Sequence, residues 1–486
     1  MADITVAGTV YHVQLDTGSS DLWVQGSVSP IPNAQPTNLA LNLTYAIGWA
    51  AGNISYAPVE FAGIPAKSQA FLDVSNVYNP ALGYGAQGIT GLGFTSLSTI
   101  DAWVNRTGSD KGRSLLLNLF AADPSAPNFI AFALQRSTDP TDEVQGSFAI
   151  GEYEPLYAEV KDAPHIPTWP PVEPSRWNVL LDALIVGDQV VIPETIVDAA
   201  PGNKAVVLLD SGSSLTYAPT KVCEAIYGNI TGASFDPSSG YWIVPCGYEV
   251  DMALQIGGTI YPLHPLDVTP KGLLTPDGCI GSFVPTNLPF GKGDFDWLIG
   301  DNFLRSVYSI YDFGDFDGSG NTGNPYMQLL SLIDPDEASG DFAQTRGTQA
   351  KTNITYVGLN GTMIQPISTL STDANKTLQL LGQFFPAIMG IVALNALVLL
   401  VLVIGGIVYF CRKRKRSRVA RTPRGRQTPV EMLPNPRNTY IAGAPPQAHV
   451  YQPVSMAMTE DTFVPPSPAF IMDGSPLKGE RPKSVA

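Results

Sequence analysis

The sequence predicts a β-rich protein of two or more domains, organised around a repeated acidic turn. Three observations lead there. The chain has 486 residues, more than one compact core accommodates. Its 46 glycines and 42 prolines, beside 44% apolar residues, suit a globular protein with many turns and some unstructured sequence. And the stretch Leu15-Asp16-Thr17-Gly18-Ser19-Ser20-Asp21-Leu22-Trp23-Val24 is echoed by Leu209-Asp210-Ser211-Gly212-Ser213-Ser214-Leu215-Thr216.

In both stretches a carboxylate follows an apolar, strand-like run and precedes a hydroxyl residue, a glycine and a second hydroxyl. Glycine permits a tight turn and close backbone approach, and the hydroxyls can hydrogen-bond a carboxylate and fix its orientation. One Asp-Thr-Gly alone is an ordinary turn, since Asp, Gly and Ser are common turn formers. Two, one early and one near the middle of a long globular region, imply a duplicated half-site.

At these residues the chain resembles the pepsin-like aspartic proteases. The resemblance implies an all-β, bilobal acid-protease fold with short helices, and a catalytic pair made of Asp16 and Asp210. Two acids about 3 Å apart cannot both ionise, so they share a proton, pepsin being the reference example of such a pair. The charged member can take a proton from water while the protonated one polarises a peptide carbonyl. No metal or cofactor is expected. By the same resemblance Gly18, Gly212 and Ser213 bind the substrate backbone, Ser19 supports Asp16, and Thr17 and Ser211 support the turns. Ser211 stands where threonine is common; it keeps the hydroxyl and loses a methyl.

Residues 39–65 read as a hairpin followed by a strand, and resemble the flap that closes over the cleft. Tyr45 falls at the flap tyrosine, whose ring can cover substrate while its hydroxyl hydrogen-bonds; the plain alternative is a surface strand tyrosine. Ala46 departs from the glycine often found next to that tyrosine but keeps its backbone N–H for substrate, and Trp23 would steady the tyrosine. Ile89-Thr90-Gly91-Leu92-Gly93-Phe94 and Trp297-Leu298-Ile299-Gly300-Asp301-Asn302 resemble the segments that pass beneath each catalytic loop. Residues 305–312 read as the closing strand of the second lobe.

The net charge of −15 conceals an asymmetry: −23 up to Cys411 and +8 from Arg412 onward. The acidic part is a poor nucleic-acid binder. Four cysteines are too few for a disulfide scaffold. Cys246 and Cys279 pair by resemblance to the family, and Cys223, in an expected helix, reads as a buried thiol. For Cys411, S-palmitoylation and an unmodified thiol both stay open.

The order of segments is read as an N-terminal lobe over 1–160, a proline-dense connection over 161–176 and a second lobe over 177–334. A Ser/Thr/Asn-rich solvated stalk follows over 335–383, then a membrane span over 384–410 and a basic, proline-rich, disordered cytoplasmic tail over 411–486. The span is uncharged and exceeds the ~20 residues a bilayer requires. Arg412-Lys413-Arg414-Lys415-Arg416 directly after it assigns that side to the cytoplasm. Asn42, Asn53, Asn105, Asn229, Asn353, Asn360 and Asn375 each lie in Asn-x-Ser/Thr without proline, and no such sequon follows the span. That one-sidedness agrees with an extracellular or lumenal N-terminal part at the cell surface or in a secretory or vacuolar compartment. Met1 to Val10 carries no signal-like pattern. The reading favoured is a sequence that starts late, which would also remove one strand from the sheet joining the lobes.

The leading expectation is thus a monomeric, membrane-tethered aspartic endopeptidase that takes polypeptide substrate at acidic pH. The alternative is the same fold kept as a binding or adhesion ectodomain without turnover. Such domains usually lack a catalytic Asp or its glycine, and this chain has both. A receptor role for the tail rests only on Thr-Pro and Ser-Pro sites at Thr422, Thr428, Ser467 and Ser475.

Overall fold

In the computed structural model of the chain, residues 1–136, 145–286, 293–316 and 322–363 are described, with the backbone of 452–455. The first lobe is built from β1 (Ala2–Val6), β2 (Thr9–Asp16), β3 (Leu22–Val24), β4 (Gln35–Thr44), β5 (Trp49–Phe61), β6 (Ile64–Tyr78) and β7 (Gly88–Gly91). Their order is β1-β2-β7-β3-β6-β5-β4, and β1 also pairs with β5, so the sheet closes on itself and leaves β4 outside. Alternation drives the closure: Tyr11, Val13 and Leu15 of β2 point into the core between less buried His12 and Gln14. Two-residue turns at Ala7-Gly8 and Ala62-Gly63, both with positive φ, match the twist that tight hairpins need.

The second lobe repeats the weave around the second acidic turn. The strand Ala205–Leu209 runs parallel to Trp297–Ile299, which pairs antiparallel with Thr216–Pro219. In the first lobe β2 runs parallel to β7, and β7 pairs antiparallel with β3. Each carboxylate therefore ends a buried strand that is flanked by its glycine-bearing partner. Val206, Val207, Leu208 and Leu209 are all buried, as expected of an uninterrupted apolar run covered on both faces.

A third sheet spans both lobes, in the order Ile166–Pro167, Tyr326–Ser331, Val307–Asp312, Phe129–Ala133, Gln145–Ile150. This corrects one expectation. Val307–Asp312 is not the closing strand of the second lobe; it pairs with Phe129–Ala133 of the first lobe. The connection expected over 161–176 contributes a strand of its own, Ile166–Pro167. An aromatic cluster lies at this junction: Trp177 is 4.4 Å from Phe94 and 5.2 Å from Tyr311, and Phe132 stacks on Tyr311 at 5.2 Å.

The stretch read as a solvated stalk from 335 departs further. Pro335–Arg346 is a helix, capped by Asp334, whose carboxylate accepts from the backbone N–H of Asp336 and Glu337. Proline at its first position and left-handed Gly347 at its end complete the start and stop signals. Phe342 is fully buried, and Tyr356 packs with Ile185, Ala253 and Ile260 of the second lobe. Few large apolar residues suffice because the lobe supplies the other side of the contact. In the tail, the backbone of Gln452–Ser455 pairs antiparallel with Gln145–Ile150, against an entirely disordered reading. The proposed span at 384–410, Asn375 and Cys411 lie outside the described residues. No described helix is long and apolar enough to cross a membrane.

Cys223 is a buried free thiol in the helix Thr220–Tyr227, and Cys246 and Cys279 form a disulfide 33 residues apart. Closing a loop of that size is worth about 3–4 kcal/mol in the chain-entropy description. Replacing both cysteines by serine is expected to lower unfolding free energy by roughly that amount. Urea unfolding of the oxidised protein and the double variant measures it, and equal midpoints would refute the assignment.

Candidate active site

The two acidic turns meet at the junction of the lobes. Asp16 and Asp210 are each 6% exposed. Gly18 N–H donates to Asp16 Oδ1 at 2.9 Å and the Ser19 hydroxyl to Asp16 Oδ2. The second turn repeats this: Gly212 N–H to Asp210 Oδ1 and Ser213 Oγ to Asp210 Oδ2, both at 2.8 Å. Glycine is required for a reason that the sequence alone conceals. A methyl group on Gly18 would stand 2.6 Å from Asp210 Oδ1, and one on Gly212 only 2.3 Å from Asp16 Oδ1. Each turn thus packs its glycine against the opposite carboxylate.

Beneath the carboxylates the turns are cross-linked. Thr17 N–H donates to Ser211 Oγ at 3.2 Å, and Ser211 N–H donates to Thr17 Oγ1 at 2.9 Å. The Thr17 hydroxyl donates to Leu209 O at 2.8 Å and the Ser211 hydroxyl to Leu15 O at 3.0 Å. Serine performs this as well as threonine would, because only the hydroxyl takes part. Further bonds cross the same seam: Gln14 Nε2 to Gly212 O at 3.1 Å, and Arg176 Nη1 to Gly18 O at 3.2 Å.

The glycine-bearing segments support the turns from below. Leu92 N–H donates to Asp16 O and Gly93 N–H to Ser19 O; Asp301 N–H donates to Ser213 O. A methyl on Gly91 would meet the backbone of Ser20 and Asp21 at 2.5 Å, and one on Gly300 would meet Ser213 O at 2.3 Å. These glycines belong to the scaffold and touch neither carboxylate.

Strands β4 and β5 form a hairpin whose turn runs from Tyr45 to Gly48, closed by Tyr45 N–H to Gly48 O at 3.0 Å. Tyr45 packs beside Trp23 and near Asp16, with its hydroxyl buried. Burial and the Asp16 and Asp21 charges hold that hydroxyl neutral, well above the usual tyrosine range. Ala46 is exposed on the turn.

Three contributors escaped the sequence reading. Asp21 is buried and accepts from Ser98 Oγ at 2.5 Å and from the N–H groups of Thr99 and Ile100, fixing the helix Thr99–Asn105 against the first turn. It stood inside the quoted motif, but its partners lie 77–79 residues away. Arg176 carried no local signal. Asp301, inside a segment read as scaffold, is a buried acid.

Electrostatics follow from burial. Burial first, and the neighbouring Asp210 carboxylate second, hold the Asp16 carboxyl well above the usual range, against the bonds from Ser19 and Gly18. Burial likewise raises Asp301 from 3.8 to about 7, with Arg305 opposing and Asp210 reinforcing. A raised folded pKa means that the folded state holds the proton longer. The associated stability is complete below about pH 4 and is lost as pH rises through about 7. Buried His264, lowered from 6.5 to about 4, acts oppositely, adding stability as pH rises over that window. The test is therefore a difference. Relative to wild type, Asp301→Asn is expected to gain stability between pH 4 and 7, read from urea midpoints at both values. A parallel shift at both would remove Asp301 from the account.

Comparison with known proteins agrees with this geometry. The family described as eukaryotic aspartyl protease matches residues 2–317. An aspartic protease of Phaffia rhodozyma is 27% identical over 334 residues, covering 64% of this chain and 73% of its own. Major aspartyl peptidase 1 of Cryptococcus neoformans var. grubii is 25% identical over 328 residues, covering 62% of this chain and 64% of its own, so the chain spans less than two thirds of that relative. The crystal structure of an aspartic proteinase from Irpex lacteus aligns with a TM-score of 0.53 at 19% identity, over 68% of this chain and 93% of that one, and supports the fold. With the family match spanning both acidic turns, the chain belongs to the eukaryotic aspartyl protease family and is an aspartic-type endopeptidase.

Proposed function

We propose that Asp16 and Asp210 hydrolyse peptide bonds in an extended polypeptide lying between the lobes and beneath the β4–β5 hairpin. The observation that carries this is reciprocal packing: the glycine of each turn abuts the carboxylate of the other, leaving two buried acids facing one another. Such a pair retains one proton. The ionised member takes a proton from water, and the resulting hydroxide attacks the carbonyl carbon while the protonated member gives its proton to the carbonyl oxygen. Collapse of the tetrahedral diol breaks the C–N bond, and the amine nitrogen leaves with a proton from the pair. Gly18, Gly212 and Ser213, with Ala46 N–H on the hairpin, offer backbone and hydroxyl groups to the substrate chain. Tyr45 covers it from above. This scheme calls for acidic pH, where the pair keeps its proton.

Asp16→Asn and Asp210→Asn are each expected to reduce cleavage of denatured haemoglobin at pH 3–5 by at least about 10³-fold, the scale of losing an essential general acid–base group. Circular dichroism checks that each variant folds. Cleavage surviving in either folded variant would overturn the mechanism. A folded wild-type protein without cleavage anywhere from pH 3 to 7 would favour the binding-module alternative.

We also propose that 384–410 tethers the protein to a membrane as a single-pass span with the lobes extracellular or lumenal. The support is its uncharged length, the basic run Arg412–Arg416 and the one-sided sequons. All six described sequon asparagines are exposed: Asn42, Asn53, Asn105, Asn229, Asn353 and Asn360. The backbone pairing of Gln452–Ser455 with Gln145–Ile150 opposes this reading, because a tail across a bilayer cannot reach the lobes of its own chain. Protease added to sealed microsomes separates the two. A tether predicts a pellet resistant to alkaline carbonate, a digested C-terminal tag and protected lobes. A soluble protein with a protected tag would refute it.

A further inference from the structure

The β4–β5 hairpin carries two of the sequons, and the register gives them one face. Asn42 pairs with Ala51, and Ala40 pairs with Asn53. Paired residues, and those two along, point to the same side of a sheet. Asn42 and Asn53 are thus diagonal neighbours about 7–8 Å apart, as in other antiparallel pairs. Their side is exposed along Ala40, Asn42 and Thr44 and again at Trp49 and Asn53. The other side, Leu41, Leu43, Ala50 and Ile54, is buried with Trp23, Leu72 and Ile89. The exposed side also bears a bare aromatic pair: Trp49 and Tyr78 face each other across β5 and β6 at 37% and 57% exposure. The remaining described sequons lie elsewhere, with Asn105 ending a helix, Asn229 following one, and Asn353 and Asn360 in the C-terminal segment.

We propose that Asn42 and Asn53 carry N-linked glycans on the outer face of this hairpin, and that these glycans screen the cleft from folded proteins while admitting extended peptides. The inference rests on the peptidase reading above. Each asparagine amide nitrogen bonds to the anomeric carbon of a lipid-diphosphate-linked oligosaccharide. The sugar–phosphate C–O bond breaks, the lipid diphosphate leaves, and the amide gives up one proton. The glycans are bulky and hydrophilic. Standing outward from the element that roofs the cleft, they meet any rigid body approaching from above. A peptide threaded along the cleft passes below the hairpin turn at Tyr45, near Asp16, and away from this outward face. The same glycans cover Trp49 and Tyr78, which otherwise leave apolar surface bare on the lobe.

The full chain, made in a eukaryotic secretory host, tests this in two steps. Glycopeptide mass spectrometry is expected to find both asparagines modified, and two unmodified sites would end the proposal. Cleavage is then compared on one globular protein in native form and on a short unstructured peptide. Asn42→Gln/Asn53→Gln should raise the native-protein rate several-fold and leave peptide kcat/KM unchanged; Asn229→Gln should alter neither. Endoglycosidase trimming of the folded wild type should reproduce the double variant without a substitution. Equal change on both substrates, or none on either, would overturn the screening role. Absence of peptide cleavage by the wild type would instead overturn the peptidase reading itself.

Discussion

Everything at the centre of this protein depends on four hydrogen bonds exchanged between Thr17 and Ser211 and the strands that precede them. They join residues 192–196 positions apart, all buried. Stranding a buried N–H or carbonyl costs about 1–3 kcal/mol each. Neither turn can therefore relax alone without leaving several such groups unpaired. That constraint is what makes two buried carboxylates tolerable at close range. The turns cannot separate, so burial and the facing Asp210 carboxylate hold the Asp16 carboxyl above the usual range. In the proposed mechanism, the proton that the pair must keep follows from this packing arrangement.

Much of the turns' hydrogen bonding was legible because it is local in sequence. Gly18 and Ser19 donate to Asp16 within one turn, and Gly212 and Ser213 repeat this on Asp210. Both copies display their hydrogen-bonding logic within four residues. The disulfide between Cys246 and Cys279 and the buried Cys223 were legible too. What stayed hidden was long-range. The partners of Asp21 begin 77 residues later, and the contact of Arg176 with Gly18 spans 158. The role of Val307–Asp312 shows the same limit: a buried strand announces itself, but not which lobe supplies its neighbour. Composition misled at 335–363 for a related reason. A sparse apolar face reads as solvated until the surface that receives Phe342 and Tyr356 is known.

The two lobes also show how a duplicated geometry survives a change of residues. Past the first turn, the chain is anchored by a carboxylate: Asp21 receives the hydroxyl of Ser98 and two backbone N–H groups at the start of a helix. Past the second, the anchor is uncharged. Thr216 Oγ1 meets Asn302 Oδ1 at 2.8 Å, and Asn302 Nδ2 reaches Ser282 Oγ at 3.0 Å. Both devices secure the residue that leaves the turn to a segment far along the chain. They differ in what they cost. A buried carboxylate is tolerated only with several donors converging on it, and Asp21 has three. An amide–hydroxyl chain needs no such concentration and leaves no charge. Each turn thus has a further buried acid nearby, held differently: three donors converge on Asp21 past the first turn, whereas Asp301, whose N–H donates to Ser213 O, is pushed up by burial beside the second. The lobes agree in backbone and in the placement of two carboxylates, yet they surround those carboxylates with unequal fields. Such inequality is what allows one member of a pair to act as acid while the other acts as base.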